Sequence, residues 1–215
     1  FLRREIEGGA AAVIGLGHGR TLSAAVHHLP RISAGNTRFV SLLGGLTRDY
    51  ATNPYDVMHQ LAAKTGRQAY VMPVPFFANT EDDREVLLAQ RGVSDVFHLA
   101  RSADLKIVGI GTVDSQAHLV TSGMLHADEL EEIAALGGIG ELLGHFFDNK
   151  GRILETSVTA RTLAASFTEP GRDRIVAIAG GPAKTEAIRA VLHSYKLHGL
   201  ITDERTARLL LESSA

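Results

Sequence analysis

Four short apolar runs of this chain stop at glycine, and that recurrence limits the folds open to it more than any other feature. The runs are Ala11–Leu16 before Gly17, Arg38–Leu43 before Gly44-Gly45, Leu105–Ile110 around Gly109 and Gly111, and Arg174–Ala179 before Gly180-Gly181. Ala69–Val74 and Gly199–Ile201 are further strand candidates. Between the runs lie stretches whose apolar residues recur at helical spacing. Leu22, Ala25, Val26 and Leu29 form one such stripe. Val57, Met58, Leu61 and Ala62 form another, after Asn53-Pro54, a cap followed by a proline suited to the first helical position. Pro182 opens a helix with Ile188, Val191 and Leu192 on one face, and Asp203 caps a last one carrying Ala207, Leu210 and Leu211. Apolar runs alternating with amphipathic helices predict an α/β fold, a mostly parallel Rossmann-like sheet with helices on both faces.

One segment breaks the alternation. "GGIGELLGHFFDNKGRILE", Gly137 to Glu155, is glycine-rich, and Asp148-Asn149-Lys150-Gly151 is a turn signal that predicts a β-hairpin. Its glycine-rich part is expected to act as a loop that closes over an occupant. No internal repeat, low-complexity tract or linker is visible, so residues 1–215 read as a single domain.

Hydrophobic residues make up 45% of the chain, enough for a large core. The 22 basic and 24 acidic residues leave a formal charge of −2, which argues against strong nucleic-acid binding by these residues themselves. With no cysteine, disulfides, thiolate zinc sites and cysteine nucleophiles are excluded, and a cytoplasmic location fits best. No apolar stretch has the length of a membrane span, so no membrane association is expected. The opening "FLRREIEGG" has the pattern of a helix end, which raises the expectation of a longer parent protein.

The first glycine loop, Gly15-Leu16-Gly17-His18-Gly19-Arg20-Thr21, runs straight into a helix. A dinucleotide fingerprint needs G-x-G-x-x-G or A and an acidic residue after the second strand. Here Arg20 stands in the third small position, and "SLLGGL" offers no carboxylate to a ribose. Nicotinamide binding is therefore disfavoured, and no cofactor is expected. An anion at the helix N-terminus survives, because Gly17 and Gly19 permit close approach while Arg20 and Thr21 add donors. A plain strand-to-helix turn explains the same glycines without a ligand. His18 is placed to act as a base or as a donor to a hydroxyl. Gly44-Gly45, Gly111 and Gly180-Gly181 fall on the same sheet edge if the strands are parallel, and that is the edge where such folds bind ligands. Lys184 lies in the first turn of a helix, an unfavourable place for a cation unless an anion compensates. Asp148 could accept hydrogen bonds from ligand hydroxyls, with turn-capping as the plain alternative. The other histidines show no metal-ligand spacing, and no metal is expected.

"GLGHGRTLSAA", "FVSLLGGL", "NPYDVMHQLAAKTG", "VPFFANT", "LLAQRGVSDVFHLA", "ADLKIVGIGT", "GELLGHFFDNKGR" and "VAIAGGPAKTEAIRAVL" together resemble the effector-binding domain of SorC/DeoR-like bacterial transcriptional regulators, over about residues 1–213. The resemblance implies a fold similar to the sugar-phosphate isomerase and glucosamine-6-phosphate deaminase group. It also implies a sugar, polyol or sugar-phosphate effector and a homodimer or homotetramer. Operator DNA would be bound only through an N-terminal helix-turn-helix part that this chain lacks. By the same resemblance Gly17, His18, Gly19, Arg20 and Thr21 match the phosphate-contacting loop, Gly44-Gly45 its glycine pair, Asp148 its acidic residue and Lys184 its lysine. His18 departs from the bulky residue many relatives carry there. The competing reading is a sugar-phosphate isomerase or deaminase on the same fold. Enolisation, however, needs a poised carboxylate and an enolate-stabilising partner, and only Asp148 offers itself in the pattern.

Overall fold

A computed structural model of the chain describes residues 1–45, 57–165, 167 and 174–212. The Asn53-Pro54 cap lies outside the described residues. The main sheet has six strands: β1 (Val13–Leu16), β2 (Arg38–Ser41), β3 (Ala69–Tyr70), β4 (Leu105–Val108), β8 (Ile175–Ile178) and β9 (Gly199–Ile201). Their order is β3-β2-β1-β4-β8-β9, and every pairing is parallel. The order reverses between β1 and β4, where Ile14 pairs with Leu105 and Leu16 with Ile107. In a doubly wound sheet that reversal opens a crevice beyond the strand ends.

Residues alternate across the sheet because a strand turns successive side chains to opposite faces. Ile14, Leu16, Leu105, Ile107 and Val176 pack on one face against α1 (Leu2–Gly8), α2 (Arg20–His27) and α3 (Met58–Thr65) through Ile6, Leu22, Val26, Met58 and Leu61. Val13, Val108, Ile175 and Ala177 take the other face. They meet Phe97 and Ala100 of α5 (Arg91–Arg101) and Ile188 and Val191 of α9 (Thr185–His193). Helices therefore cover both faces, as the alternation predicts. Helix α4 (Glu81–Leu88) precedes α5, and α10 (Glu204–Glu212) ends the described chain.

The differences from the sequence reading have local causes. The run Ala69–Val74 pairs only at Ala69 and Tyr70, because Pro73 and Pro75 have no amide to give a ladder. In α10 the buried residue is Thr206, while Leu211 stays 75% exposed, outside the stripe expected for it. Asp203 does cap that helix: its Oδ1 accepts from the Thr206 amide at 2.9 Å.

The interrupting segment is not a closing loop. Strands β5 (Gly111–Thr112), β6 (Gly140–Leu142) and β7 (His145–Phe147) form an antiparallel sheet in the order β5-β6-β7. It follows α6 (His118–Thr121) and α7 (Ala127–Ala135) and precedes α8 (Ser157–Ala160). The hairpin turns at Leu143-Gly144, both at positive φ (51° and 75°), a two-residue turn whose twist matches the strands. The expected turn at Asp148–Gly151 follows as a second reversal, closed by the Phe147–Ile153 bridge. Gly140 sits so close to α9 that an added Cβ would lie 2.8 Å from the Ala187 carbonyl oxygen, so this sheet is packed down.

Gly44 and Gly45 serve packing too. The Gly44 amide donates to Leu163 O at 3.0 Å and the Gly45 amide to Val74 O at 2.8 Å. An added Cβ at Gly44 would stand 2.2 Å from the Pro75 carbonyl oxygen, a backbone atom that cannot step aside. Gly44→Ala is expected to cost about 1–3 kcal/mol of stability, the scale of overpacking a dense interior, as read from urea denaturation midpoints.

Candidate functional site

At the crevice between β1 and β4 lies a cavity of about 250 Å³. Gly17, His18, Gly19, Arg20 and Thr21 form one wall, Gly109 to Thr112 another, Gln116 to Leu119 a third, and Glu141, Leu143, Phe76, Gly180 and Lys184 close it. Thus eight of the residues singled out in the sequence meet here: Gly17, His18, Gly19, Arg20, Thr21, Gly111, Gly180 and Lys184.

The first wall is built by backbone geometry. Gly19, the residue capping α2, has φ 119°, a conformation only glycine adopts without strain, and it brings no capping side chain. The first-turn amides of α2 are then left to an outside acceptor, with the positive end of the helix behind them. His18 is anchored to β2: its Nε2 lies 3.1 Å from Ser41 Oγ. The Ser41 hydroxyl gives its proton to Leu43 O at 2.6 Å, so His18 Nε2 carries hydrogen and donates.

Charge on the opposite wall is concentrated. Lys184 ends a 3₁₀ turn, Pro182–Lys184, and its Nζ donates to Ile110 O at 2.7 Å. Burial and the Arg20 guanidinium hold its pKa below the usual lysine range, while Glu141 and Asp114 pull the other way. Burial, Arg20 and Lys184 likewise lower the pKa of His118. These cations therefore disfavour one another, a conflict that an anion in the cavity relieves.

Glu141 is the carboxyl group of the site. Its Oε1 accepts from the Gly144 amide at 2.6 Å. Burial pushes its pKa up to about 7, against the downward pull of that amide and of Lys184. Its Oε2 lies against Gly111, where an added Cβ would stand 2.5 Å away.

Four residues weighed in the sequence lie elsewhere. Gly44 is packed under Pro75, and Gly45 lines a separate groove with Phe77 and Arg161. Gly181 adjoins the cavity wall, but its amide is taken by Asp203 Oδ2 at 2.9 Å and Thr206 Oγ1 at 2.8 Å. Asp148 is buried in its own turn, where Oδ1 accepts from the Lys150 and Arg152 amides, both at 2.9 Å, and Oδ2 from Arg152 Nε at 2.7 Å. The acid in the cavity is Glu141, which the sequence reading passed over together with His118 and Gln116. A signal existed: Glu141 is the single charge within Gly137–Phe147, flanked by residues that alternate like a strand.

Comparison with known proteins agrees with this geometry. Residues 1–212 match the family model described as "Putative sugar-binding domain". The chain is 66% identical over 211 residues to the erythritol catabolism regulatory protein EryD of Brucella abortus, covering 98% of this chain and 67% of that protein. It is 31% identical to the transcriptional regulator LsrR of Klebsiella pneumoniae, covering 93% of this chain and 61% of that one. Among solved structures, a DeoR family transcriptional regulator from Listeria monocytogenes superposes with a TM-score of 0.87 at 20% identity, over 97% of this chain and 82% of that one. The chain belongs to the SorC/DeoR family of sugar-binding effector domains. These relatives are transcriptional regulators rather than enzymes, and the isomerase or deaminase reading falls with that. The chain spans about two thirds of the length of the curated relatives it matches.

The buried carboxyl has a measurable consequence for stability. The folded chain keeps a proton on Glu141 to about pH 7 that an ordinary glutamate, at 4.5, has already lost. The unfolded state then binds fewer protons than the native one between these values, so this stabilising contribution is whole below pH 4.5 and lost as pH rises through 7. Its ceiling is about 3 kcal/mol, at ~1.4 kcal/mol per unit. Glu141→Gln is expected to remove this decline, which urea denaturation of both proteins at pH 5 and pH 8 measures.

Proposed function

We propose that this cavity is the effector site of a carbohydrate-responsive transcriptional regulator, and that its ligand is a small polyol or a phosphorylated derivative of one. The observation that carries the reading is the meeting of Arg20, Lys184 and the uncapped N-terminus of α2 in one cavity at the sheet's reversal point. That set of donors suits a phosphate or an equivalent cluster of oxygens. Glu141 and the Ile110 carbonyl supply acceptors, which a ligand rich in hydroxyls can use. Size points the same way. A volume of about 250 Å³ falls below the ~300–1,000 Å³ of drug-sized pockets, leaving room for a molecule of a few carbons. The name of the Brucella relative directs the choice to erythritol and four-carbon compounds derived from it.

In this reading the protein works in the cytoplasm as a homodimer or homotetramer. Operator DNA is held by a part of the regulator outside these residues, and the effector shifts the population of DNA-competent assemblies. Among the described residues no helix is long and apolar enough to cross a membrane.

Thermal-shift measurements with erythritol, erythrulose, erythrose 4-phosphate and pentose phosphates test the proposal, because a true ligand raises the melting temperature by mass action. At least one four-carbon compound is expected to do so, and no shift from any of them would sink the reading. Lys184→Ala is expected to weaken that binding by about 1.5–3 kcal/mol, the scale of a hydrogen bond to a charged group, as measured by calorimetry.

A further inference from the structure

The carboxyl of Glu141 is the one group in the cavity whose charge is unsettled near neutrality, and its surroundings show why. It is enclosed between β5, β7 and the turn before α9, and among the described residues its recorded donor is a single amide, that of Gly144. The nearest cation does not close on it, since Lys184 Nζ is spent on Ile110 O. The titratable groups around it are Lys184 at the start of α9, Arg20 on α2, Asp114 after β5, His118 on α6 and His145 on β7. Of these only Lys184 acts on Glu141 appreciably, and one amide with one displaced ammonium does not offset the burial.

We propose that occupation of this cavity is coupled to loss of a proton from Glu141. This inference rests on the reading of the cavity as an effector site for a hydroxyl-bearing molecule. A polyol brings what the empty cavity lacks, hydroxyl donors beside Oε2. Two effects then compete. The occupant expels water, which favours the neutral acid, but the carboxyl is already enclosed and has little hydration left to lose. The added donors favour the carboxylate, and two or three hydrogen bonds to an ionised carboxylate can lower its pKa by about two units or more. Hydrogen bonding wins, and the proton leaves to solvent. Binding then tightens as pH rises through 7 and weakens in acid. The same domain reports less effector, at a fixed concentration, in an acidified cell.

Erythritol is the cleaner probe, because a phosphate ester titrates near pH 6 itself. Calorimetry of the 215-residue chain with erythritol at pH 7, in two buffers of different ionisation enthalpy, should show release of about half a proton, since a group with pKa about 7 is half protonated there. The dissociation constant should be about tenfold weaker at pH 6 than at pH 8, and Glu141→Gln should abolish both effects. If that variant fails to fold, wild-type calorimetry together with carbon-13 titration of the Glu141 carboxyl decides the matter. A midpoint below pH 5 in the ligand-free chain, or binding without proton release, overturns the coupling. Failure of both erythritol and erythrose 4-phosphate to bind at any pH, with the carboxyl still titrating near 7, overturns the effector reading and the coupling with it.

Discussion

Everything at the site follows from a parallel sheet that must bury both of its faces. Parallel strands need crossovers, the crossovers here are helices packed above and below, and all strand C-termini therefore emerge on one edge. At the reversal between β1 and β4 the chain leaves in opposite directions, so no crossover fills the gap. Backbone groups exposed there need partners, and a cavity bounded by Gly17–Thr21 and Gly109–Thr112 is the consequence. The glycines matter because side chains would fill the crevice that the topology opens.

Electrostatics then decides what the crevice accepts. Arg20 and Lys184 face the same small volume, and each makes the other's charge more costly. The one buried acid is half neutralised at pH 7 and so offsets only part of that charge. A cavity left in this state stores unfavourable energy that an incoming group of opposite sign releases. Anchoring matters as much as charge. Lys184 is held on Ile110 O, Glu141 on the Gly144 amide, and His18 on Ser41, so these groups lose little freedom when a ligand arrives.

The sheet and most of the first wall were legible in the sequence because they rest on short-range signals. Apolar runs ending in glycine mark strand ends, and the stripes Leu22–Leu29 and Ile188–Leu192 mark covering helices. Lys184 was legible because a cation in a first helical turn is anomalous on its own. Asp148 and Glu141 show the limit. Both are acids in the same 19-residue stretch, and Asp148 was the more conspicuous because turn residues surround it. Those same turn residues consume its oxygens. Glu141 is set in the cavity by the pairing of β6 with β5 and β7, a contact between segments about 30 residues apart that no local pattern encodes.

That small sheet also explains how a rigid pocket can influence distant parts of the protein. The tempting picture is a mobile flap, but Gly140 lies against the backbone of α9 and Gly151 against that of His193, so the segment has nowhere to swing. Each wall of the cavity instead belongs to a different structural unit: β1 with α2, β4 with β5, β6 with β7, and the turn into α9. The last wall is joined to α10, because the Gly181 amide is held by Asp203 and Thr206 at the start of that helix. A ligand that bonds to several walls at once changes their relative positions slightly, and packed elements pass such shifts on rather than absorb them. The path from the cavity outward is then the framework itself. An occupant acts by fixing the spacing of α2, the small sheet and α9, with α10 carried along by a carboxylate that bonds to both sides of the joint.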